Sequence, residues 1–547
     1  MKTYTSFLSL LPRLGLLMAL GLCAAATHAQ PTWTSVQRTS STGGGGSSNG
    51  RNIAVAADGS QYVTGPFEGT LTLGSVTLTA GPGSGHLFLA KYSAAGTVLW
   101  ATQFDSPADD NLFSNVAVDA VGNAYLTGYF TSALKLGATT LTTPSATTKD
   151  AFLIKFDGMG TQQWMRQGSG GSDAYATGIA VDASGNVVIT GNFSAGVSFG
   201  AAGLIGGGMF LYRFSPAGTV LLAKQVSTGG VASDLTLDAV GNIYLTGGFT
   251  GTISFGPTTF TSAGGLDLYL CKLDAAGNPV WAQRDGDAAD DSGQCVAVDP
   301  AGNAVVGGYY DDFYRGSSES SSIYVAGYDA LGTKAWRQLI TPTIDDLYTA
   351  SDVVYDGRGG YYVTGGIQGS AVFGSTTLTT QGPQAAYVAR YNSGGTAVWA
   401  DQVVSVTSAD GSRGAGLAVD ASGSVYVTGL TVGDIQFGTL PVSSGAFDTF
   451  VAKLTPGGLL SSTRSKAPLV VLEAYPNPAT GSTSLVLPAG GGHLVLADAL
   501  GRIVREHTLP TAAGPYALAL AGLAPGLYQL RAILGNGKVG RAAIQVR

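Results

Sequence analysis

One decapeptide constrains this chain more than any other feature: Asp119-Ala-Val-Gly-Asn-Ala-Tyr-Leu-Thr-Gly128, a tight turn followed by an alternating apolar strand. Versions of it recur along the sequence at a spacing of about 55–65 residues, and repeats of this length indicate stacked supersecondary units. The turn glycine marks the units, at Gly59, Gly122, Gly185, Gly241, Gly302, Gly359 and Gly423. The repeat therefore predicts one architecture for most of the chain, and it leaves the ligand or substrate unspecified.

Each unit contains four strand-like segments, which in the second unit are 115–119, 123–130, 150–156 and 162–166. Phe152, Ile154 and Phe156 recur at period two, as a packed strand requires. Alanine and leucine fill much of the opposite face, so we expect the middle strands to be buried on both sides. A Phe-Gly or Leu-Gly step and a Thr-rich run between the second and third strands predict a small extra hairpin.

The first and second strands, like the third and fourth, are joined by Asp-x-x-Gly turns. Aspartate accepts hydrogen bonds from backbone amides two or more residues on, and glycine takes the positive φ that such a turn needs. The repeated aspartates are therefore predicted to cap turns and not to form a shared acidic site. They are Asp119, Asp182, Asp238, Asp299, Asp356 and Asp420.

The tryptophans recur as well, each four residues after the glycine of the second turn, and we assign them a structural role: Trp100, Trp164, Trp281, Trp336 and Trp399. The seventh unit has no tryptophan there, but Trp33 lies before the first unit. A strand at the start of the chain would complete the last unit and close a ring. The sequence thus predicts an all-β protein, a seven-bladed β-propeller over residues 31–458 closed by an N-terminal strand that carries Trp33.

Residues 1–29 have the charges, apolar core and small-residue cleavage site of a secretory signal peptide. A lipoprotein signal ending at Cys23 is the alternative, although Leu22 is bulky for it. No later stretch has the ~20 consecutive apolar residues of a transmembrane helix. Cys271 and Cys295 fall in different repeats, and we expect two buried thiols in preference to a disulfide.

Charge and histidine content exclude several functions. Only 12% of the residues are charged and the net charge is −7, whereas nucleic-acid binding needs clustered Lys and Arg. Outside the signal the histidines are His86, His493 and His507, never at the spacing of metal ligands. Paired carboxylates for sugar hydrolysis remain open, because the two residues can come from distant repeats.

Loops of variable length are predicted at the end of the ring opposite the Asp-x-x-Gly turns, and function concentrates on such loops. Acidic residues gather there, most densely at Asp285, Asp287, Asp290 and Asp291. Carboxylates suit Ca²⁺, so this segment is the candidate calcium site. The alternative is a set of solvated loop acids without a metal, and no other cofactor is expected.

After a linker at 459–467, three ordered motifs mark the C-terminal module: Tyr475-Pro-Asn-Pro478, Asp498-Ala-Leu-Gly-Arg502 and Pro525-Gly-Leu-Tyr528. Residues 468–547 thereby resemble the type A C-terminal sorting domain of the type IX secretion system. The resemblance implies a small Ig-like β-sandwich that engages the type IX machinery of a Gram-negative cell. The repeats over about residues 50–458 resemble SBBP-type β-propeller repeats, a family with no single catalytic motif.

The expected function is a secreted or cell-surface scaffold for binding or adhesion, without catalysis, whose ligand is a glycan or a surface protein. The first alternative is an extracellular polysaccharide hydrolase or lyase that uses Asp residues on the variable loops. The second is a structural spacer in the surface layer.

Overall fold

The computed structural model describes residues 30–43, 46–81, 85–106, 114–311, 321–344, 349–455, 470–472, 474–487, 491–497, 503–534 and 539–547. Within these ranges every regular element is a β-strand, so the protein is all-β as predicted. None of the described residues forms a helix that is long and apolar enough to cross a bilayer. The chain divides into two compact units, one formed by Gln30–Gly457 and the other including Gly458–Arg547.

The unit Gln30–Gly457 begins with β1 (Thr32–Arg38) and β2 (Ser40–Thr42). The strands of the first two repeats are β3 (Asn52–Val55), β4 (Gln61–Phe67), β5 (Thr70–Leu73), β6 (Val76–Thr79), β7 (Gly85–Tyr92), β8 (Val98–Ser106), β9 (Ser114–Val118), β10 (Ala124–Thr131), β11 (Ala133–Leu136), β12 (Thr139–Thr142), β13 (Lys149–Phe156) and β14 (Gln162–Ser169). Those of the next two are β15 (Ala174–Val181), β16 (Val187–Phe193), β17 (Gly196–Phe199), β18 (Ala202–Ile205), β19 (Gly208–Phe214), β20 (Val220–Ser227), β21 (Val231–Leu237), β22 (Ile243–Phe249), β23 (Thr252–Phe255), β24 (Thr258–Thr261), β25 (Asp267–Leu273) and β26 (Pro279–Asp285). The remaining strands are β27 (Asp291–Val298), β28 (Ala304–Asp311), β29 (Ser321–Tyr328), β30 (Lys334–Ile340), β31 (Ala350–Tyr355), β32 (Gly360–Ile367), β33 (Ser370–Phe373), β34 (Thr376–Thr379), β35 (Ala385–Asn392), β36 (Ala397–Gln402), β37 (Val404–Ser405), β38 (Gly411–Val419), β39 (Val425–Phe437) and β40 (Leu440–Thr455).

Each of the first six repeats contributes four antiparallel strands to one sheet, ordered β3-β4-β7-β8, β9-β10-β13-β14, β15-β16-β19-β20, β21-β22-β25-β26, β27-β28-β29-β30 and β31-β32-β35-β36. The first two sheets reach six strands, because the hairpins β11–β12 and β17–β18 pair with β8 and β14. The expected extra hairpins are β5–β6, β11–β12, β17–β18, β23–β24 and β33–β34. In the last repeat the hairpin is instead continuous with the long strands β39 and β40. The prediction of four strands and a hairpin is therefore confirmed for most repeats.

In the last repeat β38, β39 and β40 pair in turn, and β1 from the start of the chain pairs antiparallel with β40. The register at Trp33 differs from that of three other sheets. Lys91, Lys155 and Lys272 lie opposite tryptophan there, whereas Lys453 lies opposite Ser35, because the pairing shifts between Trp33 and Ser35. Trp33 instead donates its indole N–H to Asp401 at 2.9 Å.

The first strands of successive sheets contact one another around a common centre. β3 contacts β9, and the contacts continue through β15, β21, β27, β31 and β38, which in turn contacts β3. Four-stranded sheets stacked radially through their first strands are the arrangement of a β-propeller. We call β3, β9, β15, β21, β27, β31 and β38 the inner strands.

The core lies between neighbouring sheets, because their middle strands are buried on both faces. In β13 all residues after Lys149 are buried, and Phe104, Phe130, Phe152 and Phe156 pack together between the first two sheets. Cys271 and Cys295 are both buried and both free, so the prediction of separate thiols is confirmed.

The predicted turn caps form as expected. The Asp119 carboxylate accepts the main-chain N–H groups of Val121 and Asn123 at 3.1 and 2.8 Å, and Gly122 has φ 87°. The same pattern recurs at Asp182, Asp238, Asp299 and Asp420. These aspartates are therefore occupied by local turn hydrogen bonds.

The repeated tryptophans join each sheet to the second turn of the following one. Trp164 donates its indole N–H to the Pro216 carbonyl at 3.0 Å, and a Cβ on Gly218 would lie 2.9 Å from the indole ring. Only glycine allows this approach. Equivalent hydrogen bonds link Trp100 to Gly158, Trp281 to Ala330 and Trp336 to Ser393. The tryptophan and the turn glycine therefore recur together because they touch across the sheet interface.

The second unit contains β41 (Val470–Val471), β42 (Ala474–Tyr475), β43 (Ser482–Leu487), β44 (Gly492–Ala497), β45 (Ile503–Leu509), β46 (Gly514–Ala519), β47 (Gly526–Leu534) and β48 (Val539–Val546). They form a five-stranded sheet, β41-β48-β47-β44-β45, and a three-stranded sheet, β42-β43-β46. Alternate residues of β43, such as Leu485 and Leu487, share one core with Leu494 and Leu496 of the other sheet. The sequence missed β46, since its alternating small residues give a weak strand pattern.

Candidate functional site

A polar cavity of about 570 Å³ lies where the inner strands begin, and we call it the central cavity. Its lining residues come from all the sheets of the unit: Asn49, Arg51, Asn52, Asn115, Thr177, Asn192, Val231, Ala232, Ser233, Asp234, Gln294, Cys295, Thr349, Ser351, Asp352, Arg413, Ala415 and Leu430. Inner strands run from this cavity towards the Asp-x-x-Gly turns. We therefore call this end of the sheets the channel end and the opposite end the turn end.

The inner strands share an irregularity beside the cavity. In β15, β21, β27, β31 and β38 the antiparallel register shifts by one residue, at Thr177, Ser233, Gln294, Ser351 and Ala415. Such β-bulges bend a strand and redirect its side chains. Here each bulge places a cavity-lining residue at the start of its strand.

One residue of each inner strand contacts the next inner strand. This residue lies four positions before the first residue of the turn that follows the strand. Asn52 accepts the N–H of Val116 at 3.1 Å, and Asp352 accepts that of Leu417 at 2.7 Å. Asp234 likewise accepts the N–H of Val296 at 3.0 Å. These hydrogen bonds satisfy backbone N–H groups of strands that lie at the edges of their sheets.

The remaining sheets use other groups at this position. Asn115 donates a side-chain N–H to the Thr177 carbonyl, and the Cys295 thiol lies 3.5 Å from the Ala350 carbonyl. At Gly416 a Cβ would lie only 3.0 Å from the Asn52 Cα. The position therefore links neighbouring inner strands whatever residue occupies it.

Among the described residues, Asp234 and Asp352 are the carboxyl groups that line the central cavity, and both side chains are half-buried. Burial raises the pKa of Asp234 to about 7. Burial, together with the charge of Asp234, raises the pKa of Asp352 to about 8. The raised pKa values therefore reduce the negative charge that these two groups carry near neutral pH.

Arg51 and Arg413 bring positive charge to the same cavity. Arg51 precedes β3 and donates its main-chain N–H to Thr64 at 2.9 Å. Burial lowers the pKa of the Arg51 guanidinium, and the nearby charge of Arg413 lowers it further. Arg413 lies in β38 opposite Leu430, with an exposed side chain.

A second, smaller cavity of about 280 Å³ adjoins the first and shares Asn49, Arg51 and Leu430 with it. Phe447 lines this second cavity, and its side chain is 52% exposed. An exposed aromatic ring therefore lies beside the Arg51 wall of the central cavity.

The candidate calcium residues are placed near one another in the chain, but their oxygens have different partners. Asp285 accepts hydrogen bonds from Tyr324 at 2.8 Å and Lys334 at 2.7 Å. Asp291 is buried and accepts the N–H of Asp287 at 2.8 Å. Burial raises the pKa of Asp291 to about 7.

The other two candidates cap loops. Asp287 accepts the N–H of Ala289 at 2.9 Å, and Asp290 accepts that of Leu266 at 2.7 Å. Among the described residues no group of three or more His, Cys, Asp or Glu side chains is placed to hold a metal ion. Calcium binding at this segment stays a prediction.

Other acidic loop residues that the structure describes also accept hydrogen bonds from main-chain N–H groups. Asp173 accepts the N–H of Lys149 at 3.0 Å, and Asp410 accepts that of Thr407 at 2.7 Å. Asp109, Asp110, Asp345 and Asp346 lie outside the described residues. The loop acids with known partners therefore stabilise the connections in which they occur.

Sequence reasoning located the channel end but not the residues of the central cavity. Arg51 directly precedes β3, and Asp234, Asp352 and Arg413 lie in inner strands, which the sequence pattern marks only as packing elements. The one available signal is that charged residues are rare, at 12% of the chain.

No family model matches the chain. Among curated proteins, an uncharacterized WD repeat-containing protein of Acanthamoeba polyphaga mimivirus is 25% identical over 232 residues, which cover 34% of this chain and 17% of that protein. The chain thus matches only a small part of that relative's length.

Three solved structures show low similarity. PorZ of Porphyromonas gingivalis, an essential bacterial surface component of the type-IX secretion system, has 14% identity and a TM-score of 0.30 over 91% of this chain and 70% of its own. The Neurospora crassa Pan2 WD40 domain has 9% identity and a TM-score of 0.39 over 77% and 97%. Virginiamycin B lyase from Staphylococcus aureus has 10% identity and a TM-score of 0.36 over 77% and 99%. At these values no residue role or activity transfers to this chain.

Proposed function

We propose that this protein is a secreted or cell-surface β-propeller whose seven sheets close into one ring through β1, and that it binds a ligand in the central cavity without catalysing a reaction. The central cavity carries this proposal, because a concave polar site of about 570 Å³ falls in the size range of ligand sites, ~300–1,000 Å³. Closure is supported by the pairing of β1 with β40 and by the contact of β38 with β3.

Absence of catalysis is proposed because both cavity carboxyls already accept backbone hydrogen bonds. Asp234 and Asp352 each accept an N–H from the next inner strand, which ties their position to the sheet interface. A general acid or base must instead be free to reach a substrate proton.

One observation favours the hydrolase or lyase alternative. Asp234 and Asp352 line the same cavity, and their pKa values of about 7 and about 8 suit proton transfer near neutral pH. The structure offers no such argument for the spacer.

A glycan array with the full chain, run beside a reducing-sugar release assay on the glycans that bind, tests this proposal. Binding without release is the expected result. Product release that disappears in Asp234→Asn or Asp352→Asn would establish the enzyme instead, and absence of binding to glycans and to surface extracts would contradict the binding function.

Export is proposed to follow signal-peptide removal and recognition of residues 468–547 by the type IX secretion machinery. The support is the motif resemblance and the separate two-sheet unit in which β43 and β48 lie. Truncation before residue 468 in a bacterium with this system should leave the protein inside the outer membrane. Unchanged surface display or release of the truncated chain would contradict this role.

A further inference from the structure

Two guanidinium groups stand on one wall of the central cavity. Arg51 directly precedes β3 and Arg413 lies in β38, and these two inner strands contact each other. The mutual repulsion is large enough to contribute to the lowered pKa of Arg51. Two adjacent cations that line a cavity form a site for an anion.

Among the described residues, the carboxyl groups that line the cavity belong to Asp234 and Asp352. In the described part of the chain no carboxylate forms an ion pair with Arg413. The raised pKa values of these two carboxyls, about 7 and about 8, reduce the negative charge that they carry near neutral pH. Two arginines that line one cavity, in a protein of net charge −7, are a local feature that solubility does not explain.

The rest of the wall suits a hydroxyl-rich molecule. Asn49, Ser233, Thr349 and Ser351 line the cavity and bear amide or hydroxyl groups that both donate and accept. The exposed ring of Phe447 in the adjoining cavity offers apolar surface for the C–H face of a sugar ring. Carboxylates and sulfates match the fork of a guanidinium, which donates two parallel hydrogen bonds to them.

We propose that the central cavity binds an anionic saccharide, with Arg51 and Arg413 holding its carboxylate or sulfate group and the amide and hydroxyl groups of the wall holding its hydroxyls. This rests on the ligand-binding function proposed above and names the chemical class of the ligand. A carboxylate and a sulfate ester each offer two acceptor oxygens to one guanidinium, so the experiment distinguishes between them.

Calorimetric titration of the full chain with three probes distinguishes carboxylated, neutral and sulfated saccharides as ligands. The probes are trigalacturonate, its carboxyl-reduced neutral counterpart, and a sulfated galactose trisaccharide. At least one anionic probe should bind about tenfold or more tightly than the neutral one. Raising the salt concentration should lower the affinity for that probe, because salt screens the attraction between exposed charges. Equal affinity for the neutral and both anionic probes would overturn the proposal.

Arg413→Gln should weaken the anionic probe about tenfold or more and leave the neutral probe unchanged, while Arg413→Lys should keep part of the affinity. The matched control is Arg358→Gln, an exposed arginine at the turn end that donates to the Ser422 carbonyl, and it should bind as the wild type does. Thermal midpoints confirm that each variant is folded. Anion binding that is unaffected by Arg413→Gln would overturn the assignment.

These outcomes distinguish the anionic-ligand inference from the proposed binding function. Saccharide affinity that depends neither on the charge of the probe nor on Arg413 refutes the inference and leaves the binding function intact. No binding of any probe here, together with no binding on the glycan array, refutes both.

Discussion

The turn end and the channel end of the same sheets use charged residues in opposite ways. At the turn end the aspartates recur and have the same local partners, as at Asp119 and Asp182. At the channel end the charges differ from sheet to sheet, with arginine at Arg51 and Arg413 and aspartate at Asp234 and Asp352. An aspartate that recurs from unit to unit stabilises a turn of its own unit. A charge that is found in only some units can instead contribute to a function of the whole set of sheets.

The largest expected change in stability comes from removal of β1, the N-terminal strand that pairs with β40 of the last repeat. Deletion of residues 31–40 should lower the thermal midpoint by more than about 10 °C, because it removes β1 from β40 and uncovers the apolar contact of Trp33 with Phe437. Circular dichroism during heating measures this. Thr34→Ala, on the exposed side of β1, is the control and should change little; an unchanged midpoint in the deletion would refute closure by β1.

A pair of turn glycines tests how far the turn end is fixed by contacts between sheets. Both Gly359 (φ 85°) and Gly395 (φ 80°) have positive φ, but a Cβ on Gly359 meets nothing within 4 Å and one on Gly395 would lie 2.3 Å from the Trp336 ring. Gly359→Ala should lower the free energy of unfolding by about 1–2 kcal/mol. Gly395→Ala should cost a further ~1–3 kcal/mol from overpacking.

Denaturant unfolding of both variants measures the difference. Ligand binding at the channel end should be the same in the two proteins, because neither glycine lines the central cavity. Equal losses of stability would show that the tryptophan contact contributes nothing beyond the backbone conformation.

Stability should depend on pH in opposite directions at the two ends. The pKa of Asp352 is raised to about 8 from ~3.9 in an unfolded chain, so the folded state binds more protons between these values. Its contribution is fully present below pH ~4 and is lost as the pH rises through about 8. Asp352→Asn should therefore gain stability relative to the wild type as the pH rises from 4 to 9.

Asp274 at the turn end is the matched control. Hydrogen bonds from the side chain and main chain of Asn278 lower its pKa, so its contribution is present above pH ~4 and is lost as the pH falls. Asp274→Asn should accordingly be less stable than the wild type at pH 7 and equal to it in acid. Thermal midpoints from pH 3 to 9 measure both variants; parallel curves would show that the two ends do not differ electrostatically.

The smallest expected effect concerns calcium at Asp285, Asp287, Asp290 and Asp291. Since these carboxylates already accept hydrogen bonds from Lys334, Ala289, Leu266 and Asp287 respectively, we expect millimolar Ca²⁺ to shift the thermal midpoint by less than about 1 °C relative to a chelator. Calorimetric titration gives the direct measurement. A clear heat of binding that is lost in Asp287→Asn would establish the calcium site.

Much of the fold could be predicted because the repeat fixes the phase of every element. Ser114–Val118 and Ala124–Thr131 lie within one residue of the expected strands, since turn glycines and alternating apolar residues are local signals. The register of Trp33 was not predictable in this way. It depends on a bulge in the pairing of β1 with β40, two strands that are far apart in the sequence.

The central cavity was beyond the sequence for a related reason. Asp234 and Asp352 are separated by more than a hundred residues, and each is an ordinary strand residue when its own repeat is considered alone. Only the packing of successive sheets through their first strands places them in the lining of one cavity with Arg51 and Arg413. The raised pKa values follow from this shared burial and have no local signature.

The sequence by itself determined the strands, the turns and the pairing of tryptophan with turn glycine, because backbone preferences and period-two burial act over a few residues. The tertiary structure alone decided which side chains meet at the centre, which of them remain charged, and where a ligand has room to bind. The physical reason is that electrostatic interaction and desolvation depend on distance in space, and the residues that meet across the central cavity are far apart in the chain.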